Sequence, residues 1–361
     1  MSGPRIIFAI PGDLTSLTGG YGYDRRVMAA MPARGLEILH CQLPAAFPWP
    51  SDADIDAAVA AITSVAQPGD VILADGLAFG AFPPRALSAI ANPIIALCHH
   101  PLCLEAGLTP AQSDRLRQSE TLALAHAAHV IVTSPSTGDL VTKDLAIPSD
   151  KITVALPGTD RAERALGSQR DSGSVQILAI GSIIPRKAFD VLVEALSGLG
   201  DLDWHLKIAG SPHRDPKCAA ALIEQIVSSK LSKRVTLLGE ISADDLDQAY
   251  SASDFLVSSS LYEGYGMALA EAMARGLPII TTTGGAAADT VPDAAALKVL
   301  PGDTWQLRDA LRTLIADGAL RQRLSDAAWQ AGQALPDWTA TARIIADTAR
   351  HIAASHKRSS I

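Results

Sequence analysis

Aromatic residues make up only 4% of these 361 residues, and cysteine occurs four times, as Cys41, Cys98, Cys103 and Cys218. The first scarcity leaves any core to aliphatic and alanine side chains; the second is too little sulfur for a disulfide framework in a chain this size, so a reducing cytoplasm is the expected setting. No apolar run approaches the roughly 18 residues a membrane span requires, because charged or turn residues interrupt each candidate. Excess positive charge is also lacking: Lys and Arg number 30 against 38 Asp and Glu, a formal charge of −8. That sign excludes a protein whose main task is coating nucleic acid, and any anion must be bound locally. The apolar stretch near the N-terminus is too short for a secretory signal and ends in the turn residues Pro11, Gly12 and Asp13. No repeat of 20 to 50 residues and no Gly-x-Ser-x-Gly elbow is present, which removes solenoid and hydrolase readings.

What remains is 48% hydrophobic and 19% charged, a globular composition, with enough length for two domains. Short apolar runs bounded by Gly, Pro or Asp recur at 5–10, 71–74, 94–97, 130–132 and 152–155, with helix-like stretches between most of them. Their nearly continuous Val, Ile and Leu content suits strands covered on both faces of a parallel sheet. The polar segment 158–174 reads as a connection. The rhythm then restarts at 175–180, 205–208, 235–238, 255–257 and 278–281, with helical patterns after Pro301 and a last helix expected over 339–351. The expected division is a first doubly wound, Rossmann-like α/β domain over 1–165, a second over 166–335, and a C-terminal helix within 336–361 that could cross back to the first domain.

Ligands of open parallel sheets sit beyond the carboxyl ends of the strands, so the loops there are the places to search. The first, Leu17 to Asp24, holds Gly19, Gly20 and Gly22 and leads into a helix, an arrangement that lets amides approach an anion. A dinucleotide fingerprint would need glycine at position 25, where Arg25 stands. After the run 175–180 come Arg186 and Lys187, a fork and a point charge suited to a diphosphate, although basic pairs are more often solvated surface. The third segment, Glu-Gly-Tyr-Gly-Met-Ala-Leu-Ala-Glu-Ala-Met-Ala-Arg-Gly-Leu-Pro over 263–278, opens a helix after two glycines, whose free amides can hold a phosphate oxygen. Its bland reading makes Glu263 a capping acid and Glu271 a solvent-facing residue. The fourth runs through Cys98, His99, His100 and Cys103, where a strand ends in two histidines and a zinc site competes with a purely structural histidine pair; adjacent strand residues point to opposite faces, which disfavours the metal. Asp52 and Asp54 could pass for a metal-binding Asp-x-Asp pair, but they follow Ser51 and precede an Ala/Val helix, and so read as helix N-terminal acids.

Glu263 and Glu271, with seven residues between them, resemble the Glu-x7-Glu signature of retaining glycosyltransferases of family GT4. The resemblance extends over nearly the whole chain and implies the GT-B fold, two Rossmann-like domains facing each other across a cleft. It implies transfer of a hexose from a UDP- or GDP-sugar to an acceptor hydroxyl, in cell-envelope glycan, glycolipid or polysaccharide synthesis, with no metal and no cofactor beyond the nucleotide-sugar co-substrate. By similarity, Gly19 and Gly20 correspond to the loop that contacts donor phosphates, and Arg186 and Lys187 to the phosphate-binding pair. Gly264, Tyr265, Gly266, Met267 and Ala268 correspond to the diphosphate-holding segment, Thr283-Gly284-Gly285 to the loop after the next strand, Glu271 to the ribose ligand and Glu263 to the ligand of the transferred sugar. His99 corresponds to the active-site histidine, with His100 its rival. Two positions depart from the pattern: Ser182 stands where Arg is frequent, and Ala188 where Gly is usual. The acceptor is left open among saccharides, lipid-linked saccharides and small metabolites. Arg350, His351, His356, Lys357 and Arg358 leave open a peripheral contact with the inner membrane face. A nucleotide-sugar epimerase, a sugar phosphorylase or a non-catalytic nucleotide-sugar-binding protein are the alternatives.

Overall fold

The computed structural model describes residues 4–168 and 173–359, so 169–172 of the expected connection and the ends of the expected terminal segments, 1–3 and 360–361, lie outside the described residues. The chain forms two compact units, Met1–Gly158 together with Pro336–Ile361, and Thr159–Leu335.

The first unit is built on β1 (Ile6–Pro11), β2 (Ile38–Leu43), β3 (Val71–Asp75), β4 (Ile94–Cys98), β5 (His129–Val132) and β6 (Ile152–Val154), all parallel, in the order β2-β1-β3-β4-β5-β6. The second is built on β7 (Val175–Ile180), β8 (Trp204–Ala209), β9 (Val235–Gly239), β10 (Phe255–Ser258), β11 (Ile279–Thr282) and β12 (Ala296–Val299), again all parallel, in the order β12-β11-β10-β7-β8-β9. Helices cover these sheets, as parallel strands require. The inner strands β1, β3 and β4 are buried at every position. Ile7, Ile72 and Val130 pack with Phe79, Phe82 and Leu124 in the first core, and Ile177, Leu206 and Val257 with Leu192, Leu196 and Leu311 in the second.

Two strands were not expected from the sequence, β2 and β12, both at sheet edges. Exposed and buried positions mix along β2 and half-buried and buried ones along β12, so their apolar content is diluted by His40, Gln42 and Lys298. The last helix is longer than expected, Trp338–Ser359, because its apolar stripe continues from Ala342, Ile345 and Ala349 to Ile352 and Ala353. It belongs to the first unit, where the Trp338 ring meets Tyr23 edge-on at 5.7 Å and Arg26 lies over it at 5.3 Å. Among its basic residues, Arg350 bonds Asp347 and the Arg34 carbonyl, and the Lys357 stem lies beside Gly69.

The chain passes to the second unit after Gly158, ahead of the expected boundary at 165. Residues just beyond it are already tied to the second unit: Arg161 donates to the Gln333 carbonyl at 2.8 Å, the Ala165 amide to the Arg275 carbonyl at 2.8 Å, and the Leu166 amide to the Ser251 carbonyl at 3.0 Å. At the exit, a Cβ on Gly158 would stand 2.3 Å from the Trp338 amide nitrogen, so only glycine lets the departing and returning segments touch. Gly158→Ala is expected to lower stability by about 1–3 kcal/mol through forced separation of two backbones. Urea unfolding followed by Trp fluorescence measures it, and an unchanged midpoint would contradict the packing.

A second structural pin lies under β4. Glu120 is 1% exposed, accepts from the Leu102 amide at 2.8 Å and faces the Cys98 thiol at 4.0 Å, so it fixes the segment just beyond His99. Burial pushes its carboxyl up to about 8, against the Leu102 hydrogen bond and the charge of Arg117. The folded chain then holds a proton that the unfolded chain releases near the ordinary carboxylate value. This group's stabilisation is therefore complete below that value and is lost as pH rises through about 8. The urea midpoint of the wild type should fall more steeply from pH 5 to 8.5 than that of Glu120→Gln; parallel slopes would rule out the buried proton.

Candidate active site

In each sheet the strand order reverses once, between β1 and β3 in the first and between β7 and β10 in the second. Loops leaving the two strands at such a reversal diverge to opposite faces and open a crevice at their carboxyl ends. Of the residues singled out in the sequence, the glycine-rich segment follows β1, Arg186 and Lys187 follow β7 and Glu263 follows β10, while His99 follows β4, the neighbour of β3, and Gly284 and Gly285 follow β11, the neighbour of β10.

In the first unit, the glycine-rich segment is helical from Gly19, not an extended loop: the helix spans Gly19–Ala30, with the Thr18 side chain accepting from the Tyr21 amide as its cap. Arg25, at the position where a dinucleotide fingerprint needs glycine, instead folds back to donate to the Leu14 and Ser16 carbonyls. Gly20 packs against the His99 ring; a Cβ there would lie 3.4 Å from Cδ2. Tyr23, anchored through its hydroxyl to the Ala155 carbonyl at 3.1 Å, meets the same ring edge-on with centroids 5.2 Å apart.

His99 follows the end of β4, and its carbonyl accepts from Thr133 Oγ1 at 3.0 Å. Its Nε2 faces two carboxylates, Asp24 Oδ1 at 3.2 Å and Asp75 Oδ2 at 3.3 Å. Both acids are buried, at 0% and 2% exposure. Neither was selected from the sequence. Asp24 lies inside the glycine-rich segment and Asp75 ends the apolar run of β3, the very place where ligand-facing residues gather, but a terminal acid there also reads as an ordinary strand stop. Burial lowers the His99 ring's basicity, but the charges and hydrogen bonds of Asp24 and Asp75 outweigh it and raise the ring to about 10. The Asp24 carboxyl is raised, by burial first and by Asp75 as well, with His99 acting against both. The three polar atoms lie within 4.8 Å of one another, a spacing a divalent cation could bridge, and the 3.2 and 3.3 Å distances are also those of hydrogen bonds from the imidazole.

The zinc reading of this segment separates into unrelated contacts. Cys98 points into the core toward Glu120, His99 to the acid pair, and His100 Nε2 to Glu105 Oε2 at 3.3 Å. Asp52 and Asp54 stand in the first turn of the helix Asp52–Val65, where Ser51 and Asp54 form a reciprocal capping box. The structure thus gives them a helix-starting role.

In the second unit, the strand β7 leads into a single tight turn, Pro185–Lys187, whose exit residue Ala188 is left-handed at φ 47°. Glycine adopts that conformation without strain, and alanine here carries a cost of roughly 1–2 kcal/mol. The turn is fastened to the loop after β10: the Leu261 amide donates to the Arg186 carbonyl at 2.8 Å and Ser259 Oγ to the Lys187 carbonyl at 2.8 Å. Lys187 Nζ meets Glu263 Oε1 at 2.5 Å, Ser260 Oγ donates to the same oxygen at 2.6 Å, and Arg186 Nη1 lies 3.6 Å from Oε2 while donating to the Tyr262 carbonyl at 2.9 Å. Burial would raise the Glu263 carboxyl, but Lys187 and Arg186, with hydrogen bonds from Lys187 and Ser260, hold it below its ordinary value. Glu263 is therefore an ionised, buried carboxylate and not a helix cap.

The loop after β11 packs directly against this one. A Cβ on Gly284 would meet the Leu261 carbonyl oxygen at 2.1 Å, and one on Gly285 the Glu263 carbonyl oxygen at 2.3 Å, which explains the paired glycines. Beyond Glu263, Gly264 and the 7% exposed Tyr265 lead to Gly266, the left-handed cap of the helix Met267–Ala274. Met267 and Ala268 are in its first turn, where amides have no intrahelical acceptor. Glu271, on the same helix, takes a different partner: Tyr250 Oη donates to Oε2 at 2.7 Å, and Arg275 donates to the Glu271 carbonyl at 3.1 Å while stacking over the Tyr250 ring at 4.6 Å. Tyr250 was also missed, since nothing in its own surroundings in the sequence marks a residue on another helix that fixes Glu271. The two glutamates thus sit in separate settings, one among phosphate-sized cations and one against a phenol.

Residues 161–331 match the family model described as "Glycosyl transferases group 1". Mannosylfructose-phosphate synthase of Agrobacterium fabrum is 30% identical over 184 residues, covering 46% of this chain and 40% of that protein, so the chain spans about two fifths of that relative's length. Among solved structures, sucrose-phosphate synthase from Thermosynechococcus elongatus superposes with a TM-score of 0.84 at 21% identity, over 98% of this chain and 100% of that one. Anabaena HepE, solved in complex with UDP-glucose, gives 0.75 at 17% identity, over 95% and 98%. At such identities the structural likeness speaks for the fold, and the family match speaks for the second unit. The chain has the GT-B architecture, and its second unit carries the match to the group 1 glycosyl transferases.

Proposed function

We propose that this glycosyltransferase moves a hexose from a nucleoside-diphosphate sugar to an acceptor hydroxyl with retention at the anomeric carbon. The observation that carries the reading is the convergence of Arg186, Lys187 and Glu263 at the carboxyl end of β7 and β10, beside the amides that open the helix at Met267. Two cations against one carboxylate leave the cluster net positive. A diphosphate supplies the missing negative charge and a sugar supplies hydroxyls for Glu263.

The proposed roles follow from charge. As the glycosidic bond breaks, negative charge gathers on the leaving diphosphate, and preorganised Arg186, Lys187 and helix amides stabilise it by several kcal/mol, on the order of what one aligned donor contributes in other enzymes. Gly264, Tyr265, Gly266, Met267 and Ala268 form the diphosphate-holding segment, Glu271, held rigid by Tyr250, takes the paired ribose hydroxyls, and Glu263 orients the sugar. In the first unit, Gly19 and Gly20 give backbone room for a ligand and His99 is the substrate-facing side chain. UDP-glucose is the donor to test first, because HepE was solved with it. The mannosylfructose-phosphate relative is named for a phosphorylated disaccharide, which favours a small phosphorylated acceptor over a lipid-linked or polysaccharide one. A role in cell-envelope synthesis would need the latter. Among the described residues no helix is long and apolar enough to cross a membrane.

Calorimetric titration with UDP, GDP and ADP, each with and without EDTA, tests the reading: one nucleotide should saturate the protein regardless of EDTA. Turnover of the matching nucleotide-sugar should follow, and binding with no turnover across sugar and sugar-phosphate acceptors would favour the non-catalytic alternative. Glu271→Ala should weaken nucleoside-diphosphate binding by about 1.5–3 kcal/mol, the worth of hydrogen bonds to a charged group. Glu263→Ala should bind the same nucleotide at least as well as wild type, because it releases both cations, yet transfer poorly. Equal weakening in the two variants would contradict the separate roles. In Arg186→Ala/Lys187→Ala, affinity for the diphosphate should collapse while that for the bare nucleoside is nearly kept.

A further inference from the structure

The first unit holds a feature that sugar binding alone does not require: one imidazole nitrogen set against two buried carboxylates. We propose that Asp24 and Asp75 are positioning residues that lock His99 as an imidazolium through its Nε2–H, so that the atom His99 offers to substrate is a protonated Nδ1, a hydrogen-bond donor and not a base. The proposal deepens the reading of His99 as a substrate-facing residue and assigns its working atom and charge.

Geometry fixes the nitrogen. Asp24 Oδ1 and Asp75 Oδ2 approach the same Nε2, at 3.2 and 3.3 Å. A bare Nε2 would aim its lone pair at two oxygens that, when ionised, can only accept, so the hydrogen belongs there. The ring is packed with Nε2 toward the acids, Gly20 lying beside Cδ2 and Tyr23 crossing it at 80°, with Tyr23 itself pinned to the Ala155 carbonyl. Nδ1, by contrast, takes no partner among the described residues, and the side chain keeps 19% of its surface exposed. The groups facing His99 are therefore Asp24 and Tyr23 from the helix Gly19–Ala30 and Asp75 from the end of β3. On its own segment, Cys98 turns into the core and His100 is taken up by Glu105. With two acids and one ring, a proton on the ring reduces the buried charge to a single negative and sets a cation between the carboxylates, whereas a proton on Asp24 leaves the remaining carboxylate without a cation beside it.

The chemical consequence is directional. An imidazolium can donate to a sugar hydroxyl or to a phosphate oxygen, but it has no lone pair with which to take the acceptor's proton. In the proposed reaction that proton must leave by another route, and His99 acts through orientation and positive charge.

The test is two-bond proton–nitrogen correlation on the whole chain labelled with nitrogen-15 histidine, between pH 6 and 9, with His99 assigned by the signal lost in His99→Gln. Both ring nitrogens of His99 should stay at protonated positions through pH 8, where an unperturbed histidine, near 6.5, is neutral. Asp24→Asn and Asp75→Asn should each bring its titration down by roughly one unit or more, the effect of losing an adjacent opposite charge. In these variants kcat should fall by on the order of a hundredfold, with nucleoside-diphosphate affinity unchanged. Wild-type spectra alone decide the question if either variant fails to fold. A His99 ring neutral at pH 7.5, or one divalent metal per chain by elemental analysis with His99 signals that move on adding EDTA, would overturn the proposal. Because the spectra need no substrate, the proposal can fail while transferase activity is present, and it can hold if that activity is absent.

Discussion

Parallel strands can be joined only by crossovers, and a sheet built outward in both directions from its first strand must reverse once. The residues of chemical interest gather at those reversals, β1 beside β3 and β7 beside β10, or on the strand next to them, as His99 does after β4. The reversal separates two loops that would otherwise cover each other, and it leaves backbone amides and side chains at the strand ends without helices packed over them. The cores beneath are closed by aliphatic side chains on both faces, so the polar residues at the carboxyl ends are displayed on a rigid base.

The two units dress that shared geometry with opposite charge. At the first reversal two acids surround one imidazole, a local excess of negative charge; at the second two cations surround one carboxylate, a local excess of positive charge. Each cluster is part-buried, where Coulomb interactions are weakly screened. The positive one suits a diphosphate, as proposed above.

Much of this was legible in the sequence. The inner strands announced themselves because burial on both faces demands unbroken Val, Ile and Leu, and Glu263, Arg186 and Lys187 could be found because they sit in loops that follow such runs. What escaped was of two kinds. The edge strands β2 and β12 face solvent in part, so residues such as His40 and Lys298 blur the pattern. Asp24, Asp75, Ser260 and Tyr250 escaped because their meaning depends on residues distant in the chain: Asp75 becomes significant only when pairing of β3 with β4 brings it to His99, and Tyr250 only when its helix packs beside Glu271. The conformation of the glycine-rich segment was misjudged. Three glycines suggested a loop, whereas the Thr18 cap and the need to admit the His99 ring make them the first turn of a helix.

The second unit is, in sequence, an insertion within the first. Residues up to Gly158 leave the ribosome well before the helix Trp338–Ser359 exists, so the surface that later receives Ala342, Ile345, Ala346 and Ala349 is uncovered for as long as the whole second unit takes to be translated. Those four side chains are at most 1% exposed in the finished fold. During synthesis the nascent first unit therefore carries an open apolar seam of the kind that holdase chaperones recognise, and the last helix to be made is the one that seals it.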